Sequence, residues 1–407
     1  MTSRWLYLPI EVKVRELDAK LLLSYYAVRQ GYQVIIGDLP LVAKAAANYQ
    51  SGIYFAKGGP KGFRKRMVTN AIQHGQTVVE LDEEGLLIEK NKYIRDRMRK
   101  DTLKLVEHEY CWGEYQKQII TDTYPDMADK CHVVGNPRFD LLKPKFQEVY
   151  QDEVKSLQQQ YGDFILINTR FSLYNAAKGK KETVFVQHIK ALYQSFLEMI
   201  KQTARHFPHL NIVIRPHPAE NFNSYWRMFQ KISNIHVVHE GAINKWLLAA
   251  KIVIHNGCTS GIEAFLLDKP VIAYLPFDTE EIELPNVLGF KATTLTELHD
   301  TVDHLLHHQA VIPGDDRLYH YCRWEIDSYS VDYILDLCNT ISLPSPPHNL
   351  SNLRIHQKKN LRKQKRKFSL TEEEITSFYQ KLDQIEKQSI KRTIKQISPH
   401  VFHVSTV

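Results

Sequence analysis

The sequence predicts an α/β protein made of two doubly wound domains facing a cleft, followed by a basic, helical C-terminal extension. Three observations carry this. Short apolar runs alternate with segments of helical periodicity, and strands alternating with helices imply parallel sheets covered on both faces. The alternation breaks once, at the polar stretch DLLKPKFQEVYQDEVKSLQQQYGD, and then resumes. Small-residue or charged turns follow the apolar runs, where ligands of open α/β sheets bind. The expected domains are residues 1–145 and 163–345, with 346–407 as the extension.

Each element follows from local pattern. WLYLPI has the aromatic and branched content of a buried strand, and RELDAKLLLSYYAVRQG has apolar residues at helical spacing with Gly31 placed to stop it. QVIIGD, GIYFAKGGP, TVVELDEE, YCWGE and CHVVGNPR continue the strand series, with NKYIRDRMRKDTLKLVEHEY read as helical between them. The second series runs through FILINTR, a helix around His188 to His206, NIVIRPHP, a helix near Tyr225, IHVVHEG, KWLLAA, KIVIHNGCTSG, IEAFLLD and PVIAYLP. After Pro313 the helical DDRLYHYCRWEIDSYSVDYILDLCNTI is placed to cross back over the first domain. SLPSPPHN breaks it, and SLTEEEITSFYQKLDQIEKQSI forms a last helix whose cap is Ser369, with Glu372 three residues on, or the competing Thr371.

Of the 53 Lys and Arg residues, eight lie between Arg354 and Lys367, in RIHQKKNLRKQKRK, with no acid among them. The other 45 nearly balance 46 acids, so one short segment carries the net charge of +7. No apolar run reaches the roughly 18 residues of a membrane span, and charge interrupts the N-terminus too early for a signal peptide. A cytoplasmic location is expected. Five scattered cysteines without CxxC spacing argue for packed, reduced thiols and against a zinc site or disulfide framework. No metal site and no cofactor are expected.

Three strand ends carry the candidate chemistry. In VVELDEEGLL, Asp82, Glu83 and Glu84 crowd together before Gly85; crowded acids raise one another's proton affinity, which suits a general base, although a solvated loop would also tolerate them. In IRPHPAEN, Pro216 and Pro218 stiffen a segment presenting Arg215 and His217, a pairing that suits a nucleotide phosphate or base. In IHNGCTSGIEA, Asn256, Gly257, Thr259, Ser260 and Gly261 form a small-residue turn into a helix expected to start near Gly261. Its amides and hydroxyls would cradle a phosphate, with Glu263 in the first turn within reach of ribose hydroxyls. Asn168, Thr169 and Arg170 of INTRF end the first strand of the second domain and are placed to hydrogen-bond a donor. In GNPRFD, Asn136 and Arg138 close the first domain or organise the hinge.

With RELDAKLLL, LDEEGL, CWGEYQ, GNPRFDLL, RPHPAEN and IHNGCTSGIEA in order from Trp5 to Pro276, the chain resembles bacterial surface-carbohydrate biosynthesis proteins related to capsule glycosyltransferases of GT-B fold, in which two Rossmann-like domains face a cleft. Its motif triplet is also similar to that of bacterial sialyltransferases and polysialyltransferases. That resemblance implies an N-terminal acceptor domain and a C-terminal nucleotide-sugar domain. It implies Glu83 as the base, with Asp82 and Glu84 as competitors, His217 with Pro218 on CMP, and Thr259 with Ser260 on its phosphate. Arg215 ahead of Pro216 is a context also seen in enzymes transferring Kdo or polyol phosphates. The implied activity is metal-independent transfer of an acidic sugar from a CMP-sugar to a glycan or lipid-linked hydroxyl. A UDP-sugar 2-epimerase and a CDP-glycerol glycerophosphotransferase are the enzymatic alternatives.

The extension offers a non-enzymatic reading. Arg354 to Lys367 suits an anionic inner-membrane surface, at roughly 1 kcal/mol per basic residue, giving a peripheral protein at its inner face. Nucleic acid would also attract these cations, but no aromatics are interleaved for base stacking.

Overall fold

The computed structural model describes residues 4–176, 183–277, 284–343 and 368–407. The chain divides into two compact units, residues 1–149 with 318–407, and residues 150–317. The basic stretch Arg354 to Lys367 lies outside the described residues.

The first unit opens with six parallel strands: β1 (Trp5–Ile10), β2 (Gln33–Asp38), β3 (Ile53–Ala56), β4 (Thr77–Leu81), β5 (His108–Cys111) and β6 (Cys131–Val133). They lie in the order β2-β1-β3-β4-β5-β6. Burial on both faces explains why these strands read as continuous apolar runs. The helix Lys13–Arg29 follows β1, burying Leu17, Leu21, Leu22, Leu23, Tyr25 and Val28, and ends just before Gly31 at φ +86°. NKYIRDRMRKDTLKLVEHEY is not one helix: it gives two short ones, Lys90–Asp96 and Lys100–Leu103, and then enters β5.

The second unit repeats the plan with β7 (Phe164–Thr169), β8 (Asn211–Pro216), β9 (Ile235–Val237), β10 (Ile252–His255), β11 (Val271–Tyr274) and β12 (Phe290–Ala292), all parallel, in the order β12-β11-β10-β7-β8-β9. The long helix Val184–His206 covers one face, placing Leu192, Phe196, Met199 and Ile200 in a core with Ile165, Ile167, Ile212 and Ile214. The sequence pattern predicts neither β12 nor the helix Leu295–His307 that follows it.

Residues 318–343, expected within the second domain, group with the first unit. One tie, beside others such as Arg4 to the Cys338 carbonyl at 2.6 Å, is Asp140 of GNPRFD. Its buried carboxylate accepts from Ser330 N (2.9 Å), Ser330 Oγ (3.1 Å) and Val331 N (3.0 Å), capping the helix Ser330–Thr340. Asn136 caps its own turn by accepting from Arg138 N at 2.8 Å. The last helix, Glu372–Glu386, is capped by Thr371 in a reciprocal box with Glu374, so Thr371 and not Ser369 is the cap. It lies along the first helix through Ser24 Oγ to Tyr379 OH at 2.5 Å and Tyr25 OH to Asp383 at 3.0 Å.

The extension is only partly helical. KRTIKQISPHVFHVSTV, whose apolar residues lack a clean period of two, forms β13 (Arg392–Ser398) and β14 (Val401–Thr406). β14 lies antiparallel beside β2, with Phe402 opposite Ile36 and His403 opposite Ile35. Gly37 makes this possible: at φ +149°, a Cβ there would collide with the His400 carbonyl. No helix among the described residues is long and apolar enough to cross a membrane.

One buried ion network ties helix to sheet. Arg64, 1% exposed, donates to Glu80 of β4 at 2.5 Å and to Glu109 of β5 at 3.2 Å. Removing one member of such a set leaves uncompensated buried charge. Arg64→Met should therefore lower unfolding free energy by about 3–5 kcal/mol, read from urea denaturation. The exposed neighbour change Lys65→Met should stay within about 0.5 kcal/mol.

Candidate functional site

In the first unit the strand order reverses between β1 and β3, the switch point at which open α/β sheets bind ligands. A charged cluster is built there. Glu11 follows β1, Lys57 follows β3 and Glu83 follows β4, while Arg15, Glu16 and Lys20 come from the first helix. Lys57 Nζ meets Glu11 at 2.6 Å and Glu16 at 2.8 Å, and Glu16 also accepts from the amides of Glu11 (2.9 Å) and Val12 (3.2 Å). Burial alone would raise Glu16, but Lys57 and these amides hold its carboxyl below the usual range. Lys20 Nζ lies 3.5 Å from Glu83 and 4.1 Å from the centre of the Phe55 ring.

The three consecutive acids have three different fates. Asp82 is held bidentately by Arg97, at 2.8 and 2.5 Å, and accepts from Glu84 N at 3.0 Å. Glu84 is exposed and pairs with Arg15 at 2.5 Å. Glu83 is 8% exposed and is the one turned toward Lys20. Burial pushes its carboxyl up, Lys20 pulls it back, and Glu16 raises it further. The source is not the expected crowding by Asp82 and Glu84, because each of those carries its own cation. Trp112 fixes the turn by donating from Nε1 to the Asp82 carbonyl at 2.7 Å.

In the second unit β7 lies between β10 and β8, and the candidates of all three strands sit at their carboxyl ends. They are tied together. Arg170 Nη1 donates to the Gly257 carbonyl at 3.0 Å, and Thr169 Oγ1 to Glu220 at 3.0 Å. Glu220, unassigned at sequence level, also accepts from Tyr225 OH (2.6 Å) and His217 N (3.2 Å), so it shapes the RPHP loop. His217 Nδ1 accepts from Ala219 N at 3.2 Å, which leaves the neutral ring's proton on Nε2. Pro218 is exposed. Arg215 donates to the carbonyls of Glu240 (2.9 Å) and Gly241 (2.5 Å). Burial pushes its guanidinium down to about 10, against the opposing charge of Glu263.

The phosphate turn differs in detail from expectation. The helix is Thr259–Leu266 with Cys258 as its cap, so Gly261 is its third residue and Glu263 lies beyond the first turn. Glu263 is 1% exposed and faces Arg215 electrostatically, not open solvent. Gly261 leaves room for the ring of His255 beneath it, not for a ligand. Four buried side-chain atoms here have no hydrogen-bond partner among the described residues: Asn168 Nδ2, His255 Nε2, Asn256 Oδ1 and Ser260 Oγ. Buried polar atoms are normally satisfied, so this strand-end region is chemically unfinished. Among the described residues, no group of three or more His, Cys, Asp or Glu is placed to hold a metal ion.

The missed residues are mostly charges hidden in amphipathic patterns. Glu16 and Lys20, four apart on a helix, read as a solvated pair, and Lys57 reads as loop polarity; only their burial reveals them.

No family model and no curated protein matches the chain. Solved structures do. The wall teichoic acid polymerase TagF aligns at a TM-score of 0.52 and 11% identity, over 83% of this chain and 88% of that one. A Listeria monocytogenes protein described as a UDP-N-acetylglucosamine 2-epimerase aligns at 0.50 and 14%, over 80% and 98%. The UDP-GlcNAc 2-epimerase of Methanocaldococcus jannaschii aligns at 0.48 and 12%, over 80% and 81%. The first two likenesses establish the fold class, GT-B.

His255 supplies a test of this local structure. Burial and Arg170 push it from 6.5 down to about 4, while its Nδ1 accepts from Gly257 N at 3.0 Å. Above pH 6.5 both folded and unfolded states are neutral at this ring; below it the unfolded chain takes the proton first, so stability falls until about pH 4. The loss amounts to about 3 kcal/mol. His255→Asn, which keeps an acceptor for Gly257, should flatten the acid side of a stability profile from urea denaturation; an unchanged profile would show that His255 is not buried neutral.

Proposed function

We propose that the chain is a glycosyltransferase of bacterial surface-polysaccharide biosynthesis that moves an acidic sugar, of sialic-acid or Kdo type, from a CMP-sugar to a hydroxyl of a glycan or lipid-linked acceptor. The observation that carries this reading is the pairing of opposite chemistries at the two switch points. One presents a buried carboxylate, Glu83, held by Lys20. The other presents the guanidinium of Arg215, bonded to carbonyl oxygens, beside unsatisfied Asn and Ser atoms. The first suits a base, the second an anionic leaving group.

In this reaction Glu83 takes the proton of the acceptor hydroxyl as its oxygen attacks the anomeric carbon. The bond from that carbon to the phosphate oxygen breaks, and the electron pair leaves with CMP. Its phosphate charge is met by Arg215, by Ser260 and by the amides opening the helix Thr259–Leu266, with His217 Nε2–H donating to the nucleotide. Fixed side chains suffice to neutralise one leaving phosphate. Asp82 is consumed by Arg97, and Glu84 is the remaining competitor for the base.

Calorimetric titration with CMP, UDP and CDP tests the donor class. CMP should bind in preference, and His217→Ala should weaken it at least about tenfold by removing a hydrogen bond to a charged or polar partner. A preference for UDP would support an epimerase, and a preference for CDP a glycerophosphotransferase. Glu83→Gln should keep CMP binding while transfer falls by about 10²–10⁴. Retained transfer in Glu83→Gln with loss in Glu84→Gln would move the base one residue.

A further inference from the structure

Lys20 has no part in the reaction just described, yet its placement is unusual. It sits midway along the first helix, 3% exposed, and a lysine is rarely that buried unless paired. Its ammonium is bracketed by the Phe55 ring at 4.1 Å and by Glu83 at 3.5 Å. The other charged groups facing the pair come from the same helix (Arg15 and Glu16) and from the turn after β3 (Lys57). Glu16 is already neutralised by Lys57 at 2.8 Å and two backbone amides, and Arg15 reaches out to Glu84 at 2.5 Å. Glu83 is therefore the carboxylate left for Lys20, and Lys20 the closest cation to Glu83.

We propose that Lys20 is the positioning residue for Glu83: its ammonium holds that buried carboxylate ionised and aimed, without itself touching substrate. This rests on the reading of Glu83 as the base. A carboxylate moved out of water into a nearly dry site would take up a proton near neutral pH and could no longer accept one from a hydroxyl. An adjacent ammonium opposes this rise, although burial still leaves the Glu83 carboxyl above the usual range. The Phe55 face supports the ammonium in turn, since a desolvated cation is stabilised over an aromatic ring. Because both members are buried, salt screens the pair far less than it would a surface ion pair.

The test reads the carboxyl group directly, by infrared titration of the protonated-carboxyl stretch in the full chain. The Glu83 band is the one absent from Glu83→Gln. In Lys20→Met its midpoint should move up by about 1–3 pH units, the effect of removing an adjacent opposite charge, and in Lys20→Arg it should stay near the wild-type value. An unmoved midpoint in Lys20→Met would overturn the proposal. If Lys20→Met does not fold, the double variant Lys20→Met/Glu83→Gln decides: with the lone buried charge gone it should recover folding and melt higher than Lys20→Met, and failure to recover would overturn the proposal. The two readings separate cleanly. An active Glu83→Gln enzyme removes the base, and Lys20's place in catalysis with it; an inactive Glu83→Gln with an unmoved Lys20→Met midpoint removes only the Lys20 proposal.

Discussion

The first unit depends on one constraint: carboxylates buried in and just beyond the strands of a parallel sheet must be met by cations, Glu80 and Glu109 sharing Arg64. Glu16, Glu80, Asp82, Glu83 and Glu109 are all buried there. Leaving such groups unpaired in a low-dielectric interior costs several kcal/mol each. Their partners Lys57, Arg64, Arg97 and Lys20 come from different segments, so pairing fixes how those segments sit. The first helix cannot rotate without unpairing Glu16 and Lys20. The loop around Arg97 is pinned by its fork on Asp82 and by Arg64, whose other nitrogen reaches toward the Arg97 carbonyl at 3.4 Å.

The second unit solves the same topology differently. Its strand ends bury fewer charges, and its turns are held by hydrogen bonds among Thr169, Glu220, Tyr225 and the His217 amide. Two guanidiniums, Arg215 on carbonyls and Arg170 on Gly257, lie there with the carboxylates of Glu220 and Glu263, beside four polar atoms that have no hydrogen-bond partner among the described residues. A self-neutralised end suits a group that must hold one proton state. On the proposed reading, an end with two guanidiniums beside unsatisfied polar atoms suits an anion that is received and released.

Much of this was legible. Strand and helix alternation, the break after Leu141 and the clustering of candidates at strand ends all follow from period and composition. The three motif stretches do sit at carboxyl ends, because turns there need the Gly, Pro and polar residues that mark them. The pattern of residues 318–343 predicts a helix that crosses back over the first domain, yet places it before the boundary at 345; its attachment shows only in tertiary contacts such as Asp140 to Ser330, Arg4 to the Cys338 carbonyl and Lys143 to the Ser328 carbonyl. β13 and β14 were hidden because the preceding helical pattern has no obvious stop: the αL residue that ends it is Lys387, where a glycine would have been the usual signal.

The acids of ELDEEG show why sequence crowding and structural crowding differ. Neighbouring residues in and beyond a strand leave in different directions, so adjacency in the chain separates side chains in space. Glu80 goes to Arg64 and Asp82 to Arg97; Glu83 goes to the first helix and Glu84 to solvent beside Arg15. Mutual repulsion, the dominant effect if all three pointed into one pool of water, becomes secondary. Burial and a single assigned cation take its place at Asp82 and at Glu83, while Glu84 stays exposed. A run that looks like redundancy in the sequence is thus a division of labour: two acids fix the turn, and the geometry they fix is what allows the third to be buried beside Lys20.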